Sequence, residues 1–156
     1  MSKVAVVGAG TMGNGIAHVF AQQGWNVTLV DVAQDALDRA LKTISANIER
    51  LVKKGARSTE QGAETLARIE TSTSLDAAKN AELVVEAATE NSDIKFDIFE
   101  DLDRLAPNGA ILASNTSSIS ITEIAKQTRR PERVIGMHFM NPVPLMPLVE
   151  IVRGRG

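Results

Sequence analysis

A glycine-rich turn between a strand and a helix constrains the fold of this chain more than any other part of its sequence. Residues 3–7, in which a lysine precedes four apolar residues, predict a short buried strand, and Gly8-Ala9-Gly10-Thr11-Met12-Gly13 follows it directly. Apolar residues then recur at helical spacing, and Gly24 is expected to end that helix. A second strand is predicted at 27–30, with Asp31 at its end. This order of elements within about 30 residues is the context in which a Gly-x-Gly-x-x-Gly pattern indicates a dinucleotide site.

The glycines and the acid of this motif each have a physical role. Gly8 permits the tight turn, Gly10 lets the backbone approach a pyrophosphate, and Gly13 lets helix and strand pack closely. The free N–H groups and the positive dipole end of the helix would face the phosphates. Asp31 can accept hydrogen bonds from a ribose diol and would repel a 2′-phosphate, so NAD is favoured over NADP. FAD and S-adenosylmethionine sites use similar units, so the motif alone does not name the ligand.

The composition is typical of a globular α/β protein. At 156 residues one domain is expected, and aromatic residues make up only 3%, while Ala, Val, Ile and Leu dominate. This suits a parallel sheet that is covered on both faces. The net charge of −2 gives no reason to expect nucleic acid or an anionic membrane as a partner. There is no cysteine, and no metal site is expected. No leader or membrane-length apolar segment is visible, so a cytoplasmic location is the default expectation.

Two helices are predicted to form an insertion after the second strand. An apolar stripe predicts a long helix at 35–54, and a second helix is predicted at 58–69. The pair is longer than a usual crossover, so we interpret it as an inserted helical hairpin, about residues 35–69, that projects from the sheet. Its basic cluster consists of Arg50, Lys53, Lys54 and Arg57. The cluster suits either a solvated helix end that complements the macrodipole or a site for an anionic tail such as a nucleotide phosphate.

Strands and helices alternate through the rest of the chain. The main predicted elements are strands at 81–88, 110–113, 133–139 and 148–152, and helices at 93–105 and 121–127. In the helix at 93–105 the expected apolar stripe is Ile94, Ile98, Leu102 and Leu105. The alternation predicts a Rossmann-type, doubly wound, mostly parallel sheet with ligands outside the carboxyl ends of its strands. The segments expected to face one crevice there are Gly8 to Gly13, Asp31, Glu90, Ser114 to Ser118 and His138.

Two histidines are present, and only one suggests chemistry. His18 lies inside the first predicted helix and is interpreted as structural. His138 ends a strand and precedes a Pro-rich loop, where an imidazole could take or return a hydroxyl proton. Glu150, on the next strand, could hold its second nitrogen; the alternative is an exposed loop histidine and an unrelated acid. The run 114–118 offers more polar side chains than a helix N-cap needs, which suggests a polar ligand. Asn141 could hold the nicotinamide end of a cofactor or begin the turn at the next proline.

Four separated motifs together resemble one enzyme family. They are GAGTMGNGIA at 8–17, VVEA at 84–87, SNTSS at 114–118 and HFMNPVP at 138–144. In this order they closely resemble the L-3-hydroxyacyl-CoA dehydrogenases, a group that includes the 3-hydroxybutyryl-CoA dehydrogenases. The resemblance extends over essentially all of the chain. It implies reversible, NAD-dependent oxidation of a (3S)-3-hydroxyacyl-CoA to a 3-oxoacyl-CoA.

The resemblance also implies roles for individual residues. His138 matches the catalytic base, Glu150 its carboxylate partner and Ser117 the serine near the substrate hydroxyl and thioester. The positions that match NAD-contacting ones are Gly8, Ala9, Gly10, Thr11, Met12, Gly13, Asp31, Glu90, Lys95, Ser117 and Asn141. Lys54, in the basic cluster, falls where the family binds CoA, and Asn47 falls where relatives can carry a hydroxyl for CoA.

Members of this family are longer, with a helical second domain that closes the substrate cleft and forms a homodimer. We therefore expect residues 1–156 to be the cofactor domain, to bind NAD and to turn over a 3-hydroxyacyl-CoA poorly or not at all. Two other functions stay open. An NAD-dependent dehydrogenase of another hydroxy acid would have no use for the basic cluster. A non-catalytic NAD-binding module would be indifferent to His138 and Glu150.

Overall fold

One twisted sheet organises the molecule. The computed structural model describes residues 2–116 and 119–139 in full and the backbone of 149–153. The strands are β1 (Lys3–Val7), β2 (Asn26–Val30), β3 (Ile69–Ser72), β4 (Leu83–Glu86), β5 (Ile111–Ser114), β6 (Val134–Phe139) and β7 (Val149–Arg153). Their order across the sheet is β3-β2-β1-β4-β5-β6-β7; neighbours are parallel except β6 and β7, which are antiparallel. This confirms the predicted doubly wound, mostly parallel sheet.

Helices cover both faces of the sheet. They are α1 (Thr11–Gln22), α2 (Gln34–Lys53), α3 (Thr59–Ala67), α4 (Ser92–Leu105) and α5 (Ile121–Ala125), with short 3₁₀ helices at Leu75–Asn80 and Pro131–Arg133. On one face, Val4 and Val6 of β1 join the core formed with α1 and α2. On the other, Ala5 and Val7 pack with α4 and α5. Because successive strand residues point to opposite faces, residues 4–7 of β1 are buried on both sides, as their unbroken apolar sequence requires.

The predicted hairpin is present as α2 and α3. Gly55 follows α2 with φ +77°, a conformation that ends the helix, and Ser58 begins α3 with a reciprocal capping box to Gln61. A Cβ at Gly62 would lie 2.8 Å from a methyl of Ile48, so glycine allows the two helices to approach closely. Both helices also contact α1, so the hairpin rests on α1, and α2 joins the core along most of its length, from Leu37 to Ile48.

The expected apolar stripe of α4 is partly wrong. The inward face is made by Lys95, Phe99, Leu102 and Asp103, while Ile94 is half exposed, at 51%. The helix is therefore rotated relative to the prediction, because two charged residues on the inward face are paired with buried partners. Sequence periodicity treats such residues as solvent-facing, so it assigned the stripe to the wrong neighbours.

One of these partners, Arg130, closes the end of α4. Its guanidinium donates to a carboxylate oxygen of Asp103 at 2.9 Å and to the carbonyls of Asp103, Ala106, Pro107 and Ala110. These include carbonyls of the last turn, which have no partner within the helix. Burial raises the pKa of Asp103, but the N–H groups of Arg129 and the guanidinium of Arg130 outweigh it and hold the pKa below its usual value. The aspartate therefore stays charged and paired.

Among the residues that the structure describes, none of the helices combines the length and the apolar composition that a bilayer crossing requires.

Candidate functional site

Three glycines shape the turn between β1 and α1, each for a different reason. Gly8 has φ +108°, and its N–H donates to the carbonyl of Val30 at 2.7 Å. A Cβ at Gly13 would lie 1.7 Å from the carbonyl oxygen of Gly8, so the start of α1 can lie against the turn only without a side chain. At Gly10, by contrast, a Cβ would meet no atom within 4 Å. Gly10 therefore faces open space, as the predicted approach of a pyrophosphate requires.

The N-terminus of α1 is suited to an anion. Gly10 is the N-cap and provides no side-chain hydrogen bond, and the first turn contains no acidic residue. The first N–H groups of a helix have no partner within the helix and lie at its positive dipole end. A diphosphate above Gly10 would supply both the hydrogen-bond acceptors and the negative charge.

Asp31 connects the end of β2 to the glycine turn. Its Oδ2 accepts from the N–H of Ala9 and its Oδ1 from the N–H of Ala33, both at 2.9 Å. A carboxylate has about four lone-pair positions, so each oxygen can still accept a further bond. The two backbone bonds fix the carboxylate where a ribose diol could reach it. The same carboxylate would repel a 2′-phosphate.

A cleft of about 560 Å³ opens beside this carboxylate. It is lined by Val7, Gly8, Val30, Asp31, Val32, Thr73, Leu75, Ala88, Thr89, Ile94 and Ile98. Val32 is 91% exposed and Ile94 51%, which is unusual for large apolar side chains in the described part of the fold. The apolar walls can contact the flat base of a nucleoside, and the fixed carboxylate of Asp31 can accept hydrogen bonds from its sugar diol. The residues at the carboxyl ends of β1, β2 and β4 thus fit an adenine dinucleotide.

A buried ionic network lies beneath the far wall of this cleft. Glu86, Lys95 and Ser114 are all fully buried. Lys95 Nζ donates to Glu86 Oε1 at 2.5 Å and to Ser114 Oγ at 3.1 Å, and Ser114 Oγ donates to the same Glu86 oxygen at 2.8 Å. One expectation needs correction here: Ser114 is fully buried and does not face the crevice. Lys95 is paired with Glu86, since a buried carboxylate requires a counter-charge, and its contact with the cofactor stays a prediction.

The ends of β5 and β6 form the other side of the crevice. Asn115 Oδ1 accepts from the N–H of Phe139 at 3.2 Å and thereby joins the two strand ends. Thr116 Oγ1 donates to Glu90 Oε2 at 2.9 Å, which links the loops after β5 and β4. His138 is half-buried near the end of β6, directly opposite Glu150 of β7 in the backbone register.

Other predicted site residues lie farther away or outside the description. Lys54 follows α2 and is exposed, and Asn47 Oδ1 accepts from Arg50 at 3.2 Å on the same helix. Ser117 and Asn141 lie outside the described residues. His18, interpreted as structural, is fully buried in α1, and neither of its ring nitrogens has a hydrogen-bond partner among the described atoms. Burial and the nearby positive charge of Arg57 lower the pKa of His18 to about 4.

The comparison with known families decides among the nucleotide-binding alternatives. Residues 3–156 match the family described as 3-hydroxyacyl-CoA dehydrogenase, NAD binding domain. The chain belongs to this family. It is therefore an NAD-binding domain with a Rossmann fold, and FAD and S-adenosylmethionine are excluded as its cofactor.

Relatives of known name agree with this assignment. The chain is 46% identical over 153 residues to a 3-hydroxybutyryl-CoA dehydrogenase of Clostridioides difficile, covering 98% of the chain and 54% of that protein. It is 49% identical over 154 residues to the enzyme of the same name in Bradyrhizobium diazoefficiens, covering 99% and 53%. The crystal structure of (S)-3-hydroxybutyryl-CoA dehydrogenase from Ralstonia eutropha superposes with a TM-score of 0.95 at 49% identity, covering 99% of this chain and 54% of that one. The chain thus spans about half the length of these relatives.

The network around Glu86 was missed by reasoning from the sequence. The available signal was an acidic residue at the end of the apolar run Val84-Val85-Glu86, in a strand predicted to be buried on both faces. A buried carboxylate must have a partner. Nothing in the sequence shows, however, that the partner would be Lys95, because that assignment depends on the rotation of α4.

Proposed function

We propose that this chain acts as the cofactor-binding half of an NAD-dependent dehydrogenase that oxidises a (3S)-3-hydroxyacyl-CoA to a 3-oxoacyl-CoA. The single observation that carries the proposal is the register of β6 and β7, which pairs His138 with Glu150 at the carboxyl edge of the sheet that also holds the nucleotide cleft. Directly opposed residues of an antiparallel pair lie within interaction distance. A non-catalytic NAD module would have no need of this pairing.

His138 and Glu150 divide the acid–base work. The neutral imidazole of His138 accepts the proton of the substrate hydroxyl as the alcohol becomes a ketone. The carboxylate of Glu150 accepts a hydrogen bond from the second ring nitrogen, which fixes the tautomer and stabilises the imidazolium. The N-terminus of α1 and Asp31 would hold NAD, which would supply the acceptor for the hydride of the alcohol carbon. In the reverse direction His138 returns the proton to the oxygen.

Other residues would bind and orient the reactants. The N-terminus of α1 and Asp31 hold the diphosphate and the adenosine ribose, and Val32 and Ile94 pack against the adenine. Ser117 and Asn141, from their positions in the family motifs, are proposed to contact the substrate oxygen and the nicotinamide half. The cation of Lys54 is proposed to attract the phosphates of CoA, with Asn47 about two helical turns earlier on the same face of the hairpin.

Two properties of the longer protein follow the same proposal. We infer a homodimer formed through a second, helical domain, and a cytoplasmic location. The length of the relatives supports the first inference, because about half of each relative lies outside the match.

Turnover by a hybrid protein tests the catalytic assignment. This chain would be joined to the second half of the Clostridioides difficile relative, and reduction of acetoacetyl-CoA by NADH would be followed. His138→Gln is expected to lower kcat by about 100-fold or more, the usual contribution of a general base, with little change in NADH affinity. His18→Gln is the matched control at the other histidine, and kcat per folded molecule should stay near that of the parent. Unchanged kcat in His138→Gln would leave an NAD-binding module as the better explanation.

A further inference from the structure

The last residues of β6 lie beyond the end of the neighbouring strand. The parallel register of β5 with β6 ends at the pair Ser114 and Gly136, whereas β6 continues to Phe139. On its other edge β6 stays paired with β7 as far as Phe139. Within the part of the chain that the structure describes, the final three residues of β6 therefore have a strand neighbour on one side only. His138 is one of these three residues.

The side chain of Asn115 bonds to β6 where β5 no longer does. Its Oδ1 accepts from the N–H of Phe139 at 3.2 Å. That N–H belongs to the peptide group that joins His138 to Phe139, so the contact is made to the backbone next to the proposed base. In a continuing parallel pair a backbone carbonyl of β5 would supply this acceptor. The amide side chain thus extends the support of β6 beyond the last residue of β5.

Both sides of this contact are themselves held in position. Asn115 directly follows β5, and its backbone N–H donates to the carbonyl of Glu86, the last residue of β4, at 2.7 Å. The ring of Phe139 is buried near Phe20 of α1, with the two ring centroids 6.3 Å apart. Successive side chains of a strand point to opposite faces, so the burial of Phe139 directs His138 away from α1. The peptide after His138 is therefore fixed by a hydrogen bond and by the side chain that follows it.

Stability alone gives little reason for an amide at this position. The N–H of Phe139 could bond to water instead, and the exchange of one partner for another changes the free energy of unfolding only slightly. A water molecule does not, however, fix the strand end relative to β5. Placement matters for a general base, because a displacement of about 1 Å can cost about 100-fold in rate. An amide oxygen provides a fixed acceptor without adding a second carboxylate beside His138.

We propose that Asn115 is a positioning residue for the proposed general base: its amide oxygen fixes the peptide after His138 and thereby holds the imidazole at the carboxyl edge of the sheet. This inference rests on the proposed function, because it assigns a purpose to the placement of His138. In this assignment Asn115 acts through His138 and takes no part in the proton transfer. It differs from the expectation that the polar run 114–118 serves a polar ligand.

Three variants separate this role from the alternatives. Asn115→Leu has nearly the same size as the parent side chain and removes the acceptor. Asn115→Asp keeps an oxygen that can accept from the N–H of Phe139. Asn108→Leu is the matched control, because Asn108 is an exposed residue three positions before the other end of β5.

Amide exchange at Phe139, followed by NMR in this chain, tests the contact itself. In Asn115→Leu this amide is expected to exchange about 3- to 10-fold faster than in the parent, the effect of losing one neutral hydrogen bond. Asn115→Asp should restore the protection, and Asn108→Leu should exchange like the parent. Parent-like exchange at Phe139 in Asn115→Leu would overturn the proposal.

Turnover tests whether the contact acts through the base. In the hybrid protein described above, Asn115→Leu is expected to lower kcat per folded molecule about 10-fold, with NADH affinity within about 2-fold of the parent. In the His138→Gln background the same substitution should change kcat by less than about 2-fold, because the group that it misplaces is no longer present. An equal loss of kcat in both backgrounds would show that Asn115 acts on the reactants directly, and this would overturn the proposal. A parent-like kcat in folded Asn115→Leu would do the same.

Two further outcomes keep the test decisive. Where Asn115→Leu does not fold, Asn115→Ala removes the same acceptor with a smaller side chain, and the same exchange and kcat values are expected of it. If His138→Gln leaves kcat unchanged, the proposed function fails, whereas exchange at Phe139 still decides whether Asn115 holds the peptide.

Discussion

Gly10→Ala and Gly13→Ala should have opposite consequences, although the two residues are only three positions apart. Gly10 has φ −75° and ψ −166°, an extended conformation open to any L residue, and an added Cβ meets no atom within 4 Å. Alanine there loses about 0.5–1 kcal/mol as a helix N-cap but gains a similar amount by restricting the unfolded chain. The free energy of unfolding should therefore change by less than about 1 kcal/mol. The methyl group would nevertheless occupy the space assigned to the diphosphate.

The expected loss of affinity follows from the bonds at the start of α1. Displacing the diphosphate by a methyl radius breaks at least one charge-assisted hydrogen bond, which contributes about 1.5–3 kcal/mol. Gly10→Ala should therefore bind NAD roughly 10- to 150-fold more weakly while its urea unfolding curve stays near that of the parent.

Gly13→Ala is the matched control for this prediction. Its Cβ would lie 1.7 Å from the backbone oxygen of Gly8, so the turn or the helix must move, at a cost of about 3 kcal/mol or more. For a chain of this size that lowers Tm by roughly 6–12 °C. Calorimetric titration with NAD and urea unfolding of both variants provide the comparison. Parent-like NAD affinity in folded Gly10→Ala would refute the placement of the diphosphate.

Three further predictions concern stability and substrate binding. Burial lowers the pKa of His18 from 6.5 to about 4, so its contribution to stability is complete above pH 6.5 and is lost as pH falls toward 4, by roughly 3 kcal/mol in all. Over this pH range the free energy of urea unfolding should fall more steeply in the parent than in His18→Gln, and an identical dependence on pH in the two proteins would contradict the prediction. Arg130→Met leaves the buried carboxylate of Asp103 without its main partner and should cost about 3–5 kcal/mol in urea unfolding, where a change below 1 kcal/mol would be inconsistent with the network. Lys54→Gln should weaken acetoacetyl-CoA binding by about 1.5- to 5-fold at low salt, as expected for an exposed charge, while Lys42→Gln on the same hairpin should not; equal effects would remove the case for a CoA contact.

The order of the elements could be predicted from the sequence because each one follows a local rule. The glycine turn, Gly24 with φ +95° and Gly55 with φ +77° are positions where the backbone itself requires glycine, and all three were expected to punctuate the chain. The apolar run of β1 indicated a strand buried on both faces. Such signals need no knowledge of distant contacts, so the sheet and its crevice followed from them.

The interior of α4 could not be predicted in the same way. Ile94 was expected in the core, yet it lines the cleft, and Lys95, which periodicity places on the solvent side, is fully buried. Both differences have one cause. Two ion pairs orient the helix. Lys95 pairs with Glu86 of β4, and Asp103 pairs with Arg130, which lies 27 residues farther along the chain. Hydrophobic periodicity contains no information about such pairs.

A crystal structure of this chain with oxidised NAD tests the central claim most directly. The account predicts the diphosphate over Gly10, within hydrogen-bond distance of the first N–H groups of α1, and the adenosine ribose hydroxyls on the carboxylate of Asp31. Density for the cofactor that touches neither Gly10 nor Asp31 would contradict it.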